Sequence, residues 1–359
     1  MRSGFASLLE QAGFDTTERG FWERIVMVQN CAVLPAERLD EGDVMATRGF
    51  NALVLDRYGV PTFFCKCRPP TKEWVRQTEL CTRISMEPAL RQMIPSAWAV
   101  RSIELLMSIS TYVPGRLLES TVAWMRPDTL GATLREILQE METISLHCAV
   151  IEPEVFNGRT HVDLAAEAEW AFDAIPPSLL PPHLASVARD TLARAGVVRR
   201  AIQHGDLWPR NILRHDGHWW LLDFEIFGQI QVPLYDAFHL VRYCWNLRQG
   251  RLQRAMHRER SPATLPNRLP SWIGSLRSSH TTQPYQRTLA WARERHGLTI
   301  EEAVGTLAFY LIDVSARMYR RQVPMPYVEP YLHDLAVLAE CLLAGETFAD
   351  TFRDTASAA

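Results

Sequence analysis

No apolar run in this 359-residue chain approaches the ~18 residues that carry a helix across a bilayer. The stretch "IELLMSIS" has only the length of a buried strand. The opening "MRSGFASLLEQAGF" has one Arg and lacks the apolar segment of a secretory signal, so a cytoplasmic protein is expected. Positive charge is not in excess either: 38 Lys and Arg stand against 41 Asp and Glu, a net charge of −3. Without a basic field, a dedicated nucleic-acid binder is not expected. Also missing is any Cys-x-x-Cys pair. The seven cysteines, at 31, 65, 67, 81, 148, 244 and 341, are odd in number and have no His at metal-ligand spacing. They read as reduced, mostly buried thiols. Internal repeats and low-complexity tracts are absent.

What is there is ordinary globular sequence, 47% hydrophobic and 22% charged. At this length a single hydrophobic core usually stops growing, which predicts two lobes. Residues 1–40 read as an amphipathic, helical extension, from "SLLEQAGF" to "GFWERIVMVQN". Two β-rich runs follow, Phe50 to Leu55 and Thr62 to Cys67, joined by the turn-like "DRYGVP" into a hairpin. "PTKEWVRQTELCTRI" returns to helical spacing, with Trp74, Leu80, Cys81 and Ile84 on one face, and "WAVRSIELLMSIS" reads as strand. Pro114 and Gly115 then break the pattern. The lobe boundary is placed there, giving an N-terminal lobe at 1–113 and a C-terminal lobe at 114–359. The second lobe is mostly helical: "DTLGATLREILQEMETISLHCAV" with Asp128 as N-cap, "HLASVARDTLARAG" closed by Gly196, and helices from Pro233 onward.

Between two strand-like segments, "VVRRAIQ" and "GHWWLLDF", lies "HGDLWPRNIL". Its His204, Asp206 and Asn211 match the H-x-D-x-x-x-x-N spacing of a phosphoryl-transfer loop. Such a reaction asks for a carboxylate to orient and deprotonate the acceptor, for metal ligands, and for positive charge on the phosphates. Asp206 fits the base and Asn211 an oxygen ligand for Mg²⁺, while His204 orients the loop. In "WLLDFE" a strand delivers Asp223 as a second metal ligand, and Glu225 can face the same side. Upstream, Lys66 ends the second hairpin strand, and Glu79 on the next helix, or Glu73, would pair with it. The alternatives are a polar turn whose Asn and Asp cap their own backbone and an exposed strand-end lysine.

With "HGDLWPRNIL" and "LLDFE", supported by Asp236 in "PLYDAFHL" and by His147, the chain resembles the aminoglycoside phosphotransferase and choline kinase-like family over roughly residues 40–345. The resemblance implies an α+β, two-lobed protein-kinase-like fold, with a small, mostly β N-lobe that binds nucleotide and a larger, mainly helical C-lobe that holds the acceptor. It implies Mg²⁺ with ATP or GTP as donor and a sugar-like, amino-alcohol or aminoglycoside-type hydroxyl as acceptor. In its terms Asp206 is the base, Asn211 and Asp223 are metal ligands, and Lys66 contacts phosphate. Ser110, Tyr112 and Val113 belong to the adenine-binding hinge. Two departures stand out. Trp208 sits where relatives usually carry His, Lys or Gln, with Arg210 a candidate substitute. "EGDVMATRGFN" has Gly42 and Gly49 but no GxGxxG. Both favour, as the alternative, a non-catalytic nucleotide-binding module of the same fold. A protein kinase is disfavoured by "DFE" in place of DFG and by the absence of APE. Finally, residues 242–295 hold eleven Arg against Glu259 and Glu294. That excess suits an anionic, sugar-linked or lipid-linked acceptor, or a solvated basic loop.

Overall fold

The computed structural model describes residues 2–29, 32–35, 49–151, 160–256, 271–278, 282–346 and 348–352. The chain divides into two compact units, Met1–Arg116 with Leu213–Glu225, and Leu117–Ile212 with Ile226–Ala359. The first crossing falls at Arg116, a few residues beyond the break read at Pro114. The segment Leu213–Glu225, assigned by chain order to the second lobe, belongs to the first unit by contact.

The first unit is built on a six-stranded sheet, ordered β2-β1-β3-β4-β6-β5. Its strands are β1 (Ile25–Gln29), β2 (Ala32–Pro35), β3 (Phe50–Leu55), β4 (Pro61–Arg68), β5 (Ala97–Arg101) and β6 (Leu106–Thr111), paired antiparallel throughout. Alternation sets which face each residue serves. On β3, Phe50, Ala52 and Val54 are buried, and on β4 so are Cys65 and Cys67. Together with Met107 and Ile109 they form a core with Phe5, Leu8 and Leu9 of helix α1 (Arg2–Gln11). Lys66, between the two buried cysteines, must therefore point to the opposite face.

β1 corrects the expectation of a helical extension. "GFWERIVMVQN" forms a short 3₁₀ turn at Trp22–Arg24 and then a strand. Its Ile25 and Met27 pair with Val54 and Ala52 of β3 and are buried. β-branched residues at period two gain more from that distant partner than from local helical spacing. Helix α2 (Lys72–Met86) starts at Thr71, whose hydroxyl accepts the Trp74 N–H at 3.2 Å. It buries Gln77, Leu80 and Ile84 on one face. Gly42 lies outside the described residues.

The second unit is mainly helical. Its helices are α3 (Leu118–Val122), α4 (Pro127–Ile151), α5 (Leu164–Ala174), α6 (Pro182–Ala195), α7 (Tyr235–Met256), α8 (Trp272–Ser278), α9 (Gln283–Arg295), α10 (Ile300–Arg320), α11 (Met325–Leu343) and α12 (Ala349–Phe352), beside a two-stranded antiparallel sheet of His161–Asp163 and Val197–Arg199. Helix α10 is buried from Ala303 to Ala316 and packs on α5, α6, α7 and α11. Its start is a full capping box between Thr299 and Glu302. Helix α4 begins at Pro127, so Asp128 lies in its first turn rather than at the N-cap. No helix among the described residues is long and apolar enough to cross a membrane.

Candidate active site

In the first unit, the site centres on Lys66. Its Nζ donates to Asp223 Oδ1 at 2.7 Å and to Glu225 Oε1 at 2.8 Å. Burial alone would lower the Lys66 pKa, but the two carboxylates outweigh it and hold the ammonium above its ordinary range. Asp223 has φ +61°, in the left-handed region that Asp tolerates better than most side chains. The next residue is anchored as well: Gln77 Nε2 donates to the Phe224 carbonyl, and Cys81 Sγ lies 3.8 Å from the same oxygen. Burial pushes the Cys81 thiol up to about 12, with Lys66 pulling the other way.

Glu79 does not join this cluster, which corrects the expected Lys66–Glu79 pair. Both Glu79 and Glu73 are exposed. The reason is helical phase: Gln77, Leu80 and Ile84 face the sheet, and a residue two positions after Gln77 is turned ~200° away. Gln77 is the residue the sequence reading missed. Its signal was available, because 77 completes the 74, 81, 84 stripe.

The residues read as a hinge from the sequence lie at and just after the end of β6. Ser110 is in register with Phe64, the Tyr112 N–H donates to the Thr62 carbonyl at 2.8 Å, and Val113 is buried.

In the second unit, the loop carrying Asp206 hangs on the first turn of α7. Asp236 accepts the backbone N–H groups of His204 and Gly205 at 2.6 and 2.9 Å. Its own N–H donates to Gln203 Oε1 at 2.9 Å. Burial drives the Asp236 carboxyl up to about 7, against the lowering effect of those two N–H groups, and the nearby Asp206 charge pushes the same way as burial. Gly205 has φ +81°, and a Cβ there would meet Ile226 at 2.9 Å, so only glycine fits this turn. His204 is fully buried, and its Nδ1 accepts the Asp206 N–H at 3.4 Å, the geometry of a loop-orienting residue.

Asn211 Nδ2 donates to the Asp206 carbonyl at 3.0 Å and to Asp206 Oδ2 at 3.1 Å. With the amide nitrogen so used, the Asn211 atom left for another partner is Oδ1, an oxygen suited to a hard cation. The Asp206 carboxyl is held below its ordinary pKa. Burial acts upward, but His239, His204 and the Asn211 hydrogen bond together prevail, so the group is ionised at neutral pH, as a base requires.

Arg210 does not extend toward this carboxylate. Its Nε lies 2.8 Å from both Glu119 oxygens, and its guanidinium stands 5.1 Å over the Trp208 ring. Trp208 in turn packs edge-on to Tyr243 at 5.3 Å. His147 bonds the Thr143 carbonyl one turn back in α4, a local role. Beside Tyr243 opens a cleft of about 860 Å³ whose lining includes Trp245, Trp272, Tyr327, Tyr331 and Glu329. Among the described residues lining it, the arginine excess contributes no free charge. Arg242, in the same lining, gives Nε and Nη2 to Asp334 at 3.0 and 2.9 Å and lies 3.5 Å over the Tyr331 ring. Arg248 binds the Met125 carbonyl, Arg293 pairs with Glu294 and Arg295 with Glu142. The side chains of Arg251, Arg254, Arg258, Arg260, Arg268 and Arg277 lie outside the described residues.

No group of three or more His, Cys, Asp or Glu able to hold a metal is present among the described residues. Within the first unit, the adjacent carboxylates of Asp223 and Glu225 are oxygen donors of the kind Mg²⁺ takes; in the second, Asn211 Oδ1 is another. That ion keeps several waters and takes one or two carboxylates plus substrate phosphates.

The sequence matches the family model described as phosphotransferase enzyme family over residues 55–270, more than half of the chain. No curated protein sequence matches it. Among solved structures, a glucosamine kinase in complex with glucosamine, ADP and inorganic phosphate is 17% identical, with TM-score 0.50, over 83% of this chain and 81% of that one. The choline kinase LicA from Streptococcus pneumoniae is 15% identical, with TM-score 0.48, over 82% and 90%. An aminoglycoside phosphotransferase solved with ADP and hygromycin B is 11% identical, with TM-score 0.47, over 82% and 90%. The fold is the two-part, kinase-like one of small-molecule kinases.

Proposed function

The chain belongs to the phosphotransferase enzyme family, and from that premise we propose that it transfers the γ-phosphoryl group of ATP to a hydroxyl of a small acceptor, with Asp206 as the base. The observation that carries this reading is the state of the loop. Its carboxylate is ionised, oriented by Asn211, and set on a backbone that Asp236 and Gly205 allow only one course. A carboxylate so placed aligns the acceptor hydroxyl and receives its proton as the phosphorus–oxygen bond forms. Lys66 supplies positive charge for the nucleotide phosphates. The oxygen ligands proposed for Mg²⁺ are Asp223 and Glu225 in the first unit and Asn211 in the second; the ion would neutralise charge on the phosphates when bound.

For the acceptor, the cleft beside Tyr243 favours a sugar-like or amine-bearing molecule, which would stack on the exposed ring of Tyr327 and meet the carboxylate of Glu329. The anionic acceptor suggested by the arginine count has less support, since Arg242 is already paired with Asp334. A non-catalytic module has little to recommend it: the departures at Trp208 and Arg210 are absorbed by Tyr243 and Glu119 and leave the Asp206–Asn211 contact intact.

The test is a Mg²⁺-dependent phosphorylation screen across aminoglycosides, sugars and amino alcohols, read by mass shift, with Asp206→Asn alongside. We expect product with the wild type and a loss of turnover of about 10³-fold or more in the variant, with nucleotide binding retained. Near wild-type transfer by Asp206→Asn would remove Asp206 from its role.

A further inference from the structure

His239 lies on α7 three residues after Asp236, so both project from one face of the helix toward the same loop. Asp236 takes the loop's backbone; His239 faces its carboxylate. The imidazole is 7% exposed, and its Nε2 is buried with no hydrogen-bond partner within 3.5 Å. The Nε2 stands 3.6 Å from Asp206 Oδ1. Resting on the reading of Asp206 as base, we propose that His239 is a positioning residue: it holds the second oxygen of the Asp206 carboxylate, as Asn211 holds the first.

Three features of the surroundings support this. First, the ring is caged rather than loosely packed. Tyr235 stacks nearly parallel to it at 6.2 Å and 11°, Tyr243 lies at 4.9 Å, and Tyr310 meets it edge-on at 5.9 Å. Second, the tautomer is determined by its neighbours. Tyr310 Oη lies 3.5 Å from Nδ1 and can donate to it. A lone pair on Nε2 facing a carboxylate would be repelled, so the stable arrangement carries the proton on Nε2 and directs it at Oδ1. Third, a Phe would fill the same aromatic cage without burying an unpaired N–H, which is costly. A histidine here is explained by the group it faces.

The consequence is restraint. Asn211 alone fixes Oδ2 and leaves the carboxylate free to turn about its last torsion. A second N–H at Oδ1 fixes the plane, and with it the direction from which an acceptor hydroxyl is taken.

The experiment compares His239→Phe, which keeps ring volume and removes the donor, with His239→Gln, whose amide nitrogen reaches to about where Nε2 lies. Transfer of the γ-phosphoryl group of Mg²⁺-ATP to water serves as the kinetic probe. His239→Phe is expected to lower kcat about tenfold to a hundredfold with KM for ATP within about twofold, and His239→Gln to restore most of the loss. In ¹⁵N-labelled protein, the wild-type His239 Nε2 is expected to carry the proton, and its resonance to move in Asp206→Asn. Full activity in His239→Phe, equal loss in both variants, an unprotonated Nε2, or a resonance indifferent to Asp206→Asn would each overturn the proposal. The two readings separate cleanly. If Asp206→Asn is inactive while His239→Phe is not, only the role of His239 falls; if Asp206→Asn retains turnover, the base assignment falls first.

Discussion

Lys66 and Asp206 are held in opposite ways. Lys66 is gripped by two carboxylates that are themselves 30% and 42% exposed, contacts made of charge and open to rearrangement. The Asp206 loop is held by backbone N–H groups on a buried carboxyl, by a glycine that admits no Cβ, and by a side-chain amide. The difference teaches which part of the chemistry is adjustable. In the function proposed above, the groups of the first kind would exchange partners as phosphates and cations come and go, whereas Asp206, as the proposed base, is kept in one orientation by the hydrogen bonding of the fold.

Substitutions can break this contrast, and the largest effect belongs to the buried side. Asp236→Ala leaves two backbone donors without an acceptor. We expect a loss of about 2–4 kcal/mol of stability by urea unfolding, since each buried unsatisfied group costs roughly 1–3 kcal/mol, and turnover near background. Lys66→Ala should cost far less stability, within about 1 kcal/mol, because partly exposed ion pairs contribute little. It should instead lower kcat/KM for ATP by about 10²-fold, a split that calorimetry and kinetics together resolve.

A smaller effect is read against pH. The folded Asp236 carboxyl titrates near 7, well above the ordinary 3.8. The folded state therefore keeps a proton that the unfolded chain releases between those values. This contribution to stability is complete below pH 3.8 and is lost as pH rises through about 7. The difference in urea midpoint between wild type and Asp236→Asn should shift in that window. The smallest effect sharpens the map of the first unit. Glu79→Ala should change stability by no more than about 0.5 kcal/mol and leave turnover unaltered, whereas Gln77→Ala, which removes the side-chain amide from the Phe224 carbonyl, should reduce both.

Much of the site could be read in the sequence because it is local. His204, Asp206 and Asn211 span eight residues, and Asp223 and Glu225 lie two apart just after the strand that ends at Leu221, so each group is a short-range signal in the sequence. The β3–β4 hairpin was legible for the same reason, since alternation and a turn are short-range signals. What escaped depended on distant partners. "IVMVQ" is a strand because β3 lies beside it. Glu79 looked eligible because helical phase relative to a sheet is not written in the helix alone. The ion pairs of Lys66 reach across 157 and 159 residues. His239 gave no sign of its own, being one apolar-flanked histidine in "DAFHL" until Asp206 is seen opposite.

The alternation that places Lys66 between Cys65 and Cys67 also limits how this strand can vary. Deleting or inserting one residue in β4 would exchange its faces, sending the ammonium in among Phe5, Leu8 and Leu9 and bringing a thiol to the side of Asp223 and Glu225. The neighbouring turn at Tyr58–Gly59 has no two faces to exchange, for Tyr58 is exposed and Gly59 is held by its own φ of +81° rather than by packing. Changes in chain length are therefore expected to accumulate at that turn and to be excluded from the strand, so that across diverging homologues the turn drifts while β4 keeps its count.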